Sequence, residues 1–223
     1  MSKRPVHVKH SYAQCGEDLI LSHLFNEIGI AKPIYVDIGA HHPQYLNNTY
    51  LFYLRGALGL NIEPDPTLFQ LFLKERPNDT NLNIGISDKT AIADLYIMNE
   101  PTLNTFSKEE AERVNLEHPG YFIKEVIPVQ LRTINDVLKE GVLKDGPDLM
   151  SIDVEGLDEL IVRSMDASGP MPKVMCIETI TFSTKGAGSK KTDLIDHVKN
   201  RGYAVYADTY INTIFLKEGA LAK

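Results

Sequence analysis

Four carboxylates in this 223-residue chain stand where a short apolar run meets a turn: Asp37, Glu63, Asp153 and Glu178. The runs before them (Tyr35-Val36, Leu60-Asn61-Ile62, Met150-Ser151-Ile152, Met175-Cys176-Ile177) read as parallel strands buried on both faces. An unpaired carboxylate is costly inside such a core, so acids gathered at strand ends read as a ligand site rather than as packing. In an open doubly wound sheet, ligands bind beyond the carboxyl ends of the strands, where the strand order reverses. Asp37, Glu63 and Asp153 are therefore expected to face one crevice, with Glu178 beside them.

Glu63 ends the strand that follows the Asp37-Ile38-Gly39 turn, the place from which an acid accepts hydrogen bonds from ribose hydroxyls in dinucleotide folds. This points to a nucleoside-containing cofactor. The turn continues Ala40-His41-His42-Pro43 with a single glycine, so the G-x-G-x-x-G that brings backbone against a pyrophosphate is missing. That counts against an NAD(P)-dependent oxidoreductase, the rival enzyme on a similar sheet. A nucleoside with an amino-acid tail needs only one tight glycine and an acid for its ammonium group, and S-adenosylmethionine fits that description.

The elements that would position these residues alternate. Glu17 to Gly29 has helical spacing and a C-terminal glycine, Pro33 to Gly39 reads as a strand, Tyr45 to Arg55 as a helix and Ala57 to Glu63 as a second strand. Asp65 to Arg76 opens with an acid and Pro66, a helix-start signal. Leu82 to Ser87 reads as a third strand, Ile92 to Met98 and Phe122 to Gln130 as strands flanking a polar helix at Ser107 to Leu116, and Thr133 to Glu140 as a capped helix. Two strands ending in Asp153 and Glu178, a helix at Thr192 to Arg201, and a hairpin of Tyr203 to Ala207 with Thr213 to Leu216 complete the chain. The expectation is an α/β, Rossmann-like doubly wound sheet, mostly parallel, with a C-terminal antiparallel hairpin strand.

Composition sets the outer limits. At 43% hydrophobic and 24% charged residues the chain can build a core, which argues against disorder. Thirty acids against 23 Lys and Arg give a net charge of −7, so nucleic acid is not an expected partner. Cys15 and Cys176 form no CxxC or His/Cys cluster and are expected as reduced thiols. No stretch of about 18 apolar residues occurs, so no membrane span is expected and the chain reads as cytoplasmic. Lys185, Lys190 and Lys191 around Gly186 and Gly188 could meet an acidic acceptor, although short basic loops are usually only solvated. Tyr45, Tyr50, Phe52 and Tyr53 read as packing along one amphipathic helix.

Taken in order, Ser11 to Asp18 (SYAQCGED), Val36 to Pro43 (VDIGAHHP), Asn61 to Pro64 (NIEP), Ile86 to Asp88 (ISD) and Ser151 to Gly156 (SIDVEG) resemble the FkbM family of class I S-adenosylmethionine-dependent methyltransferases. The likeness runs from about Ser11 to Leu216. It departs from the common family pattern, Ala-Asn followed later by another Gly, at His41 and Pro43. The resemblance implies a seven-stranded sheet with its last hairpin strand inserted antiparallel, within one globular domain: an N-terminal cap helix region over 1–30 and a methyltransferase domain over 31–218. It also implies methylation of a hydroxyl on a small-molecule or saccharide acceptor. Asp37, Gly39 and Ala40, followed by His41, would hold the methionine end of the cofactor, Glu63 the ribose, and Ser87 with Asp88 the adenine side. Gln14, Glu17 and Asp18 belong to the N-terminal signature and could close over the site, and Asp153 is a further expected cofactor contact.

Such a transfer needs the acceptor oxygen in line with the methyl group, and a base or metal for its proton. His41, His42, Asp153 and Glu155 are the candidate bases. His42 follows the cofactor turn directly and imidazole is a common general base, but it also suits a helix-capping or packing role. Asp153, Glu155 and Glu178 offer the oxygen ligands that Mg²⁺ accepts, whereas Glu155 could equally open the next helix and complement its dipole. A non-catalytic binding module on the same fold is the remaining alternative, against which Asp37, Glu63, Asp153 and Glu155 speak together.

Overall fold

The computed structural model describes residues 8–140, 143, 146–154, 156–181 and 188–221. In chain order the elements are α1 (Glu17–Glu27), β1 (Tyr35–Ile38), α2 (Tyr50–Leu54), β2 (Gly59–Ile62), α3 (Pro66–Glu75), β3 (Thr80–Leu82), β4 (Gly85–Ser87), β5 (Ala91–Met98), α4 (Lys108–Glu117), β6 (Ile123–Thr133), α5 (Ile134–Leu138), β7 (Leu149–Ile152), α6 (Asp158–Ser164), β8 (Val174–Glu178), α7 (Thr192–Asn200), β9 (Tyr203–Asp208) and β10 (Asn212–Lys217). Seven strands form one sheet in the order β3-β2-β1-β7-β8-β10-β9. β3, β2, β1, β7 and β8 run parallel, and β10 pairs antiparallel with both β8 and β9. The order reverses between β1 and β7, and there the ends of the strands open a crevice.

Side chains on the central strands alternate between two buried faces. Tyr35, Leu149, Val174, Cys176, Ile214 and Leu216 join α1 and α2 through Leu21, Leu24, Phe25 and Phe52. Val36, Ile38, Met150, Ile152, Met175 and Phe215 pack on the other face with residues of α5, α6 and α7, among them Ile134, Ile161 and Leu194. A sheet buried on both sides needs this period-two division of continuous apolar runs. The N-terminal helix thus forms a layer of the core, tied to the β9–β10 turn where the Thr209 hydroxyl donates to Glu17 Oε1 at 2.7 Å. No helix among the described residues is long and apolar enough to cross a membrane.

Two expected elements come out differently. The run Leu82 to Ser87 is not one strand: β3 ends in the large sheet, and β4 belongs to a second, three-stranded sheet of order β4-β6-β5. Asn83 marks the break, its Nδ2 donating to the carbonyls of Glu63 (2.8 Å) and Pro64 (2.9 Å). The helix expected over Tyr45 to Arg55 begins only at Tyr50. Leu46 has a φ of 52°, and Asn47 Oδ1 accepts the amides of Thr49 (3.0 Å) and Tyr50 (2.8 Å). Apolar spacing could not reveal an Asn whose side chain substitutes for the preceding turn.

Candidate active site

The chain leaves β1 through Gly39, whose φ is 72°. The amides of Gly39 and Ala40 both donate to the Ile62 carbonyl at 3.1 Å, which ties the turn to the end of β2. A Cβ on Gly39 would collide with the Asp153 carbonyl. Both constraints demand glycine, so Gly39→Ala is expected to cost about 2 kcal/mol or more of stability and most cofactor affinity, checked by thermal denaturation and calorimetry. His41 follows with a φ of 54°. Its amide donates to Glu63 Oε2 at 2.7 Å.

Glu63 is buried, and its other oxygen accepts the Asp65 amide at 2.8 Å. A carboxylate oxygen has room for two donors, so each oxygen of Glu63 can take one more. Burial pushes this carboxyl up to about 8, although the two amides favour its charged form. Asp37 Oδ2 accepts from the Thr49 hydroxyl at 2.8 Å and from Asn47 Nδ2 at 3.1 Å. Burial raises the Asp37 carboxyl above its ordinary range, and the Arg76 charge leads the opposing effects.

These residues surround a cavity of about 150 Å³. Its polar wall holds Gln14, Asp37, Asn47, Glu63 and Asp153, and an apolar slot is formed by Ile84, Ile86, Leu95, Phe106 and Leu157. The small sheet supplies part of that slot. Asn104 fixes it in place, donating from Nδ2 to Asp65 Oδ2 at 2.9 Å while its Oδ1 accepts the Met98 amide at 2.8 Å.

Gln14, Asp37, Gly39, Ala40, His41, Glu63 and Asp153 line the cavity together. Ser87 and Asp88 are not on its wall; they bond to each other at 3.1 Å, and Ile84, Gly85 and Ile86 form that side instead. His42 is also off the wall, and its Nδ1 accepts the amides of Gln44 and Tyr45 at 3.1 Å, the capping role. His41 reaches the wall, with burial and the neighbouring His42 lowering its pKa. Glu155 and Lys185 lie outside the described residues.

Glu178 meets Asp153 through a residue that the sequence reading missed. Oxygens of Asp153, Asp158 and Glu178 lie within 4.8 Å of one another. Asp158 accepts the Val154 amide at 3.0 Å and the Gly156 amide at 3.4 Å, so it shapes the turn after β7. The available signal was an acid in the first turn of α6, which reads as ordinary helix-dipole compensation. Lys191 Nζ lies 3.3 Å from Asp158 Oδ2 and 4.0 Å from Glu178 Oε2. Lys190 is held by Asp208 at 2.8 Å and by the Thr179 hydroxyl at 2.9 Å. Both lysines are thus engaged with the protein's own oxygens.

Burial, then the charges of Asp158 and Asp37, push the Asp153 carboxyl up to about 7. Burial, then Asp153 and Asp158, push Glu178 up to about 8. Glu63, Asp153 and Glu178 therefore hold protons in the folded state that the unfolded chain has already released. Their contribution to stability is full below the unfolded carboxylate range and is lost as pH rises through about 7 to 8. The melting temperature of the ligand-free protein should fall by about 5–10 °C between pH 5 and 8.5. A melting temperature that rises over that range in a fluorimetric pH series would contradict this electrostatic picture.

A family model for the methyltransferase FkbM domain matches residues 37–205. No curated protein sequence matches the chain. Solved structures to which the chain is similar include a TehB-like SAM-dependent methyltransferase from Corynebacterium glutamicum, at 11% identity and a TM-score of 0.42, covering 91% of this chain and 87% of that one. Another is a precorrin-6y C5,15-methyltransferase from Geobacter metallireducens, at 13% identity and a TM-score of 0.41, covering 89% of each chain. A third is the 1,6-didemethyltoxoflavin-N1-methyltransferase of Burkholderia thailandensis with bound S-adenosylhomocysteine, at 8% identity and a TM-score of 0.43, covering 90% of this chain and 74% of that one.

Proposed function

The chain belongs to the FkbM methyltransferase domain family, and from that premise we propose that it transfers the methyl group of S-adenosylmethionine to a hydroxyl of a carbohydrate or glycosylated small molecule. The observation that carries the cofactor reading is the pairing of a one-glycine turn with Glu63, a buried acid with an open acceptor position on each oxygen. Ribose hydroxyls suit those positions. The slot of Ile84, Ile86, Phe106 and Leu157 suits an adenine ring, and Asp37 with the Gly39–Ala40 turn suits the amino-acid end. When bound, the cofactor supplies an already activated methyl group on a sulfonium.

The protein's own task is then to place the acceptor oxygen and take one proton. Asp153 is the base in this reading, because it lies on the cavity wall and its carboxyl is poised near neutral pH. As the new C–O bond forms and the S–C bond breaks, the acceptor O–H proton passes to Asp153 and on to solvent. The products are the methyl ether and S-adenosylhomocysteine. The charges of Asp158 and Asp37 beside it add to burial in keeping its proton affinity high.

A second reading places Mg²⁺ on Asp153, Asp158 and Glu178, favoured by three oxygen donors within 4.8 Å. The Lys191 ammonium on Asp158 competes with it. Calorimetric titration with S-adenosylmethionine and S-adenosylhomocysteine, with Mg²⁺ present or chelated, tests both readings. Micromolar binding insensitive to chelation, followed by turnover on a nucleotide-sugar or oligosaccharide panel that also survives chelation, is the expected result. No binding by the folded protein would sink the methyltransferase reading, and loss of turnover on chelation would favour the metal.

A further inference from the structure

Arg76 has 0% exposure and is the largest fully buried side chain of the described residues, yet it lies off the cavity wall. Asp79 already neutralises it, with Arg76 Nε 2.8 Å from Asp79 Oδ2. Tyr35, Tyr53 and Phe72 enclose the guanidinium, their ring centroids 5.2–5.5 Å from its carbon. The rest of the fork is divided between Tyr35 and the side chains behind the cofactor turn. Nη2 donates to the Thr49 hydroxyl at 3.0 Å and to the Tyr35 hydroxyl at 2.8 Å, and Nη1 donates to Asn47 Oδ1 at 3.2 Å.

Both residues on that side pass the contact on. The Thr49 hydroxyl lies 2.8 Å from Asp37 Oδ2, and Asn47 Nδ2 reaches Asp37 Oδ2 and the Ala40 carbonyl, both at 3.1 Å. The Thr49 hydroxyl also lies 3.0 Å from Asn47 Oδ1, but that oxygen already accepts from Arg76 and from the Thr49 and Tyr50 amides, so the single hydroxyl proton goes to the nearer Asp37 Oδ2. An ion pair serving only the core would need Asp79 and the aromatic shell. Here one donor from each Nη reaches a side chain that holds Asp37, Thr49 from Nη2 and Asn47 from Nη1.

We propose that Arg76 is a positioning residue of the cofactor site: through Thr49 and Asn47 it fixes the direction of the Asp37 carboxylate and the Ala40 carbonyl, and so the grip on the amino-acid end of S-adenosylmethionine. This rests on Asp37 receiving that end of the cofactor. The Arg76 charge also favours the ionised form of Asp37, as an ammonium partner requires. Networks of this kind transmit orientation because each buried member has one satisfied arrangement.

The discriminating probe is methylthioadenosine, which shares the nucleoside with S-adenosylhomocysteine but lacks the amino-acid tail. Dissociation constants for both are measured by calorimetry on wild type, Arg76→Lys and Thr49→Val, well below each melting temperature. Arg76→Lys and Thr49→Val should each weaken S-adenosylhomocysteine about tenfold and leave methylthioadenosine within about twofold. Thr49→Val leaves Asp79 and Tyr35 on Arg76, so it carries the test if Arg76→Lys does not fold. Equal affinities for S-adenosylhomocysteine in variant and wild type, or equal losses for both ligands, would overturn the proposal. Failure of the wild type to bind S-adenosylhomocysteine would sink the cofactor reading instead.

Discussion

Replacement of Asp153 by Asn should lower kcat by about 10²–10⁴-fold while changing S-adenosylhomocysteine affinity by no more than about threefold. Asn keeps the shape of the side chain and the backbone carbonyl against which Gly39 packs, but it cannot accept the acceptor's proton. A hydroxyl is a weak acid, and Asp153 is held near neutral by burial and by the charges of Asp158 and Asp37. The wild-type rate should therefore rise with pH and level off above about 7, as Asp153 loses its proton. Steady-state kinetics across pH 5.5–9 on the best acceptor would show this limb, and Asp153→Asn would remove it. A variant with wild-type kcat would mean that placement alone drives the transfer.

Glu63→Gln is expected to weaken S-adenosylmethionine and S-adenosylhomocysteine by about 100-fold, the loss of charge-assisted bonds to two ribose hydroxyls. The substitution also turns an NH₂ group toward one of the two amides, of His41 or Asp65, that Glu63 now receives. The pH dependence has a defined sign. Hydroxyl donors favour the ionised carboxylate, and burial holds Glu63 protonated up to about 8 in the empty site. Affinity should then increase as pH rises toward 8, with proton release on binding, and this slope should vanish in Glu63→Gln. Calorimetry in two buffers of different ionisation enthalpy reads the proton directly. Tight, pH-independent binding by the variant would remove Glu63 from the ribose role.

Much of the sheet was legible because parallel strands buried on both faces must be continuous apolar runs, and the runs ending at Asp37, Glu63, Asp153 and Glu178 are of that kind. Helix α3 was equally clear: Asp65 accepts the Thr67 amide at 2.7 Å and Pro66 stands in the first turn. The middle of the chain was harder to read. Whether Leu82 to Ser87 stays in one sheet depends on the Asn83 side chain meeting carbonyls nearly 20 residues earlier, which no local pattern encodes.

The fold class, the turn with one glycine and the acids around it are readable from local sequence, because each follows from a local rule: strand burial, a φ that only glycine adopts easily, and the cost of a stranded carboxylate. Which of those acids meet depends on long-range packing. It set Asp158 and Glu178 beside Asp153. It also brought Arg76 from the end of α3 to the side chains behind Asp37. Contacts between residues 10 to more than 100 positions apart depend on how layers pack and on which buried donors still need acceptors, and that is settled when the chain closes on itself.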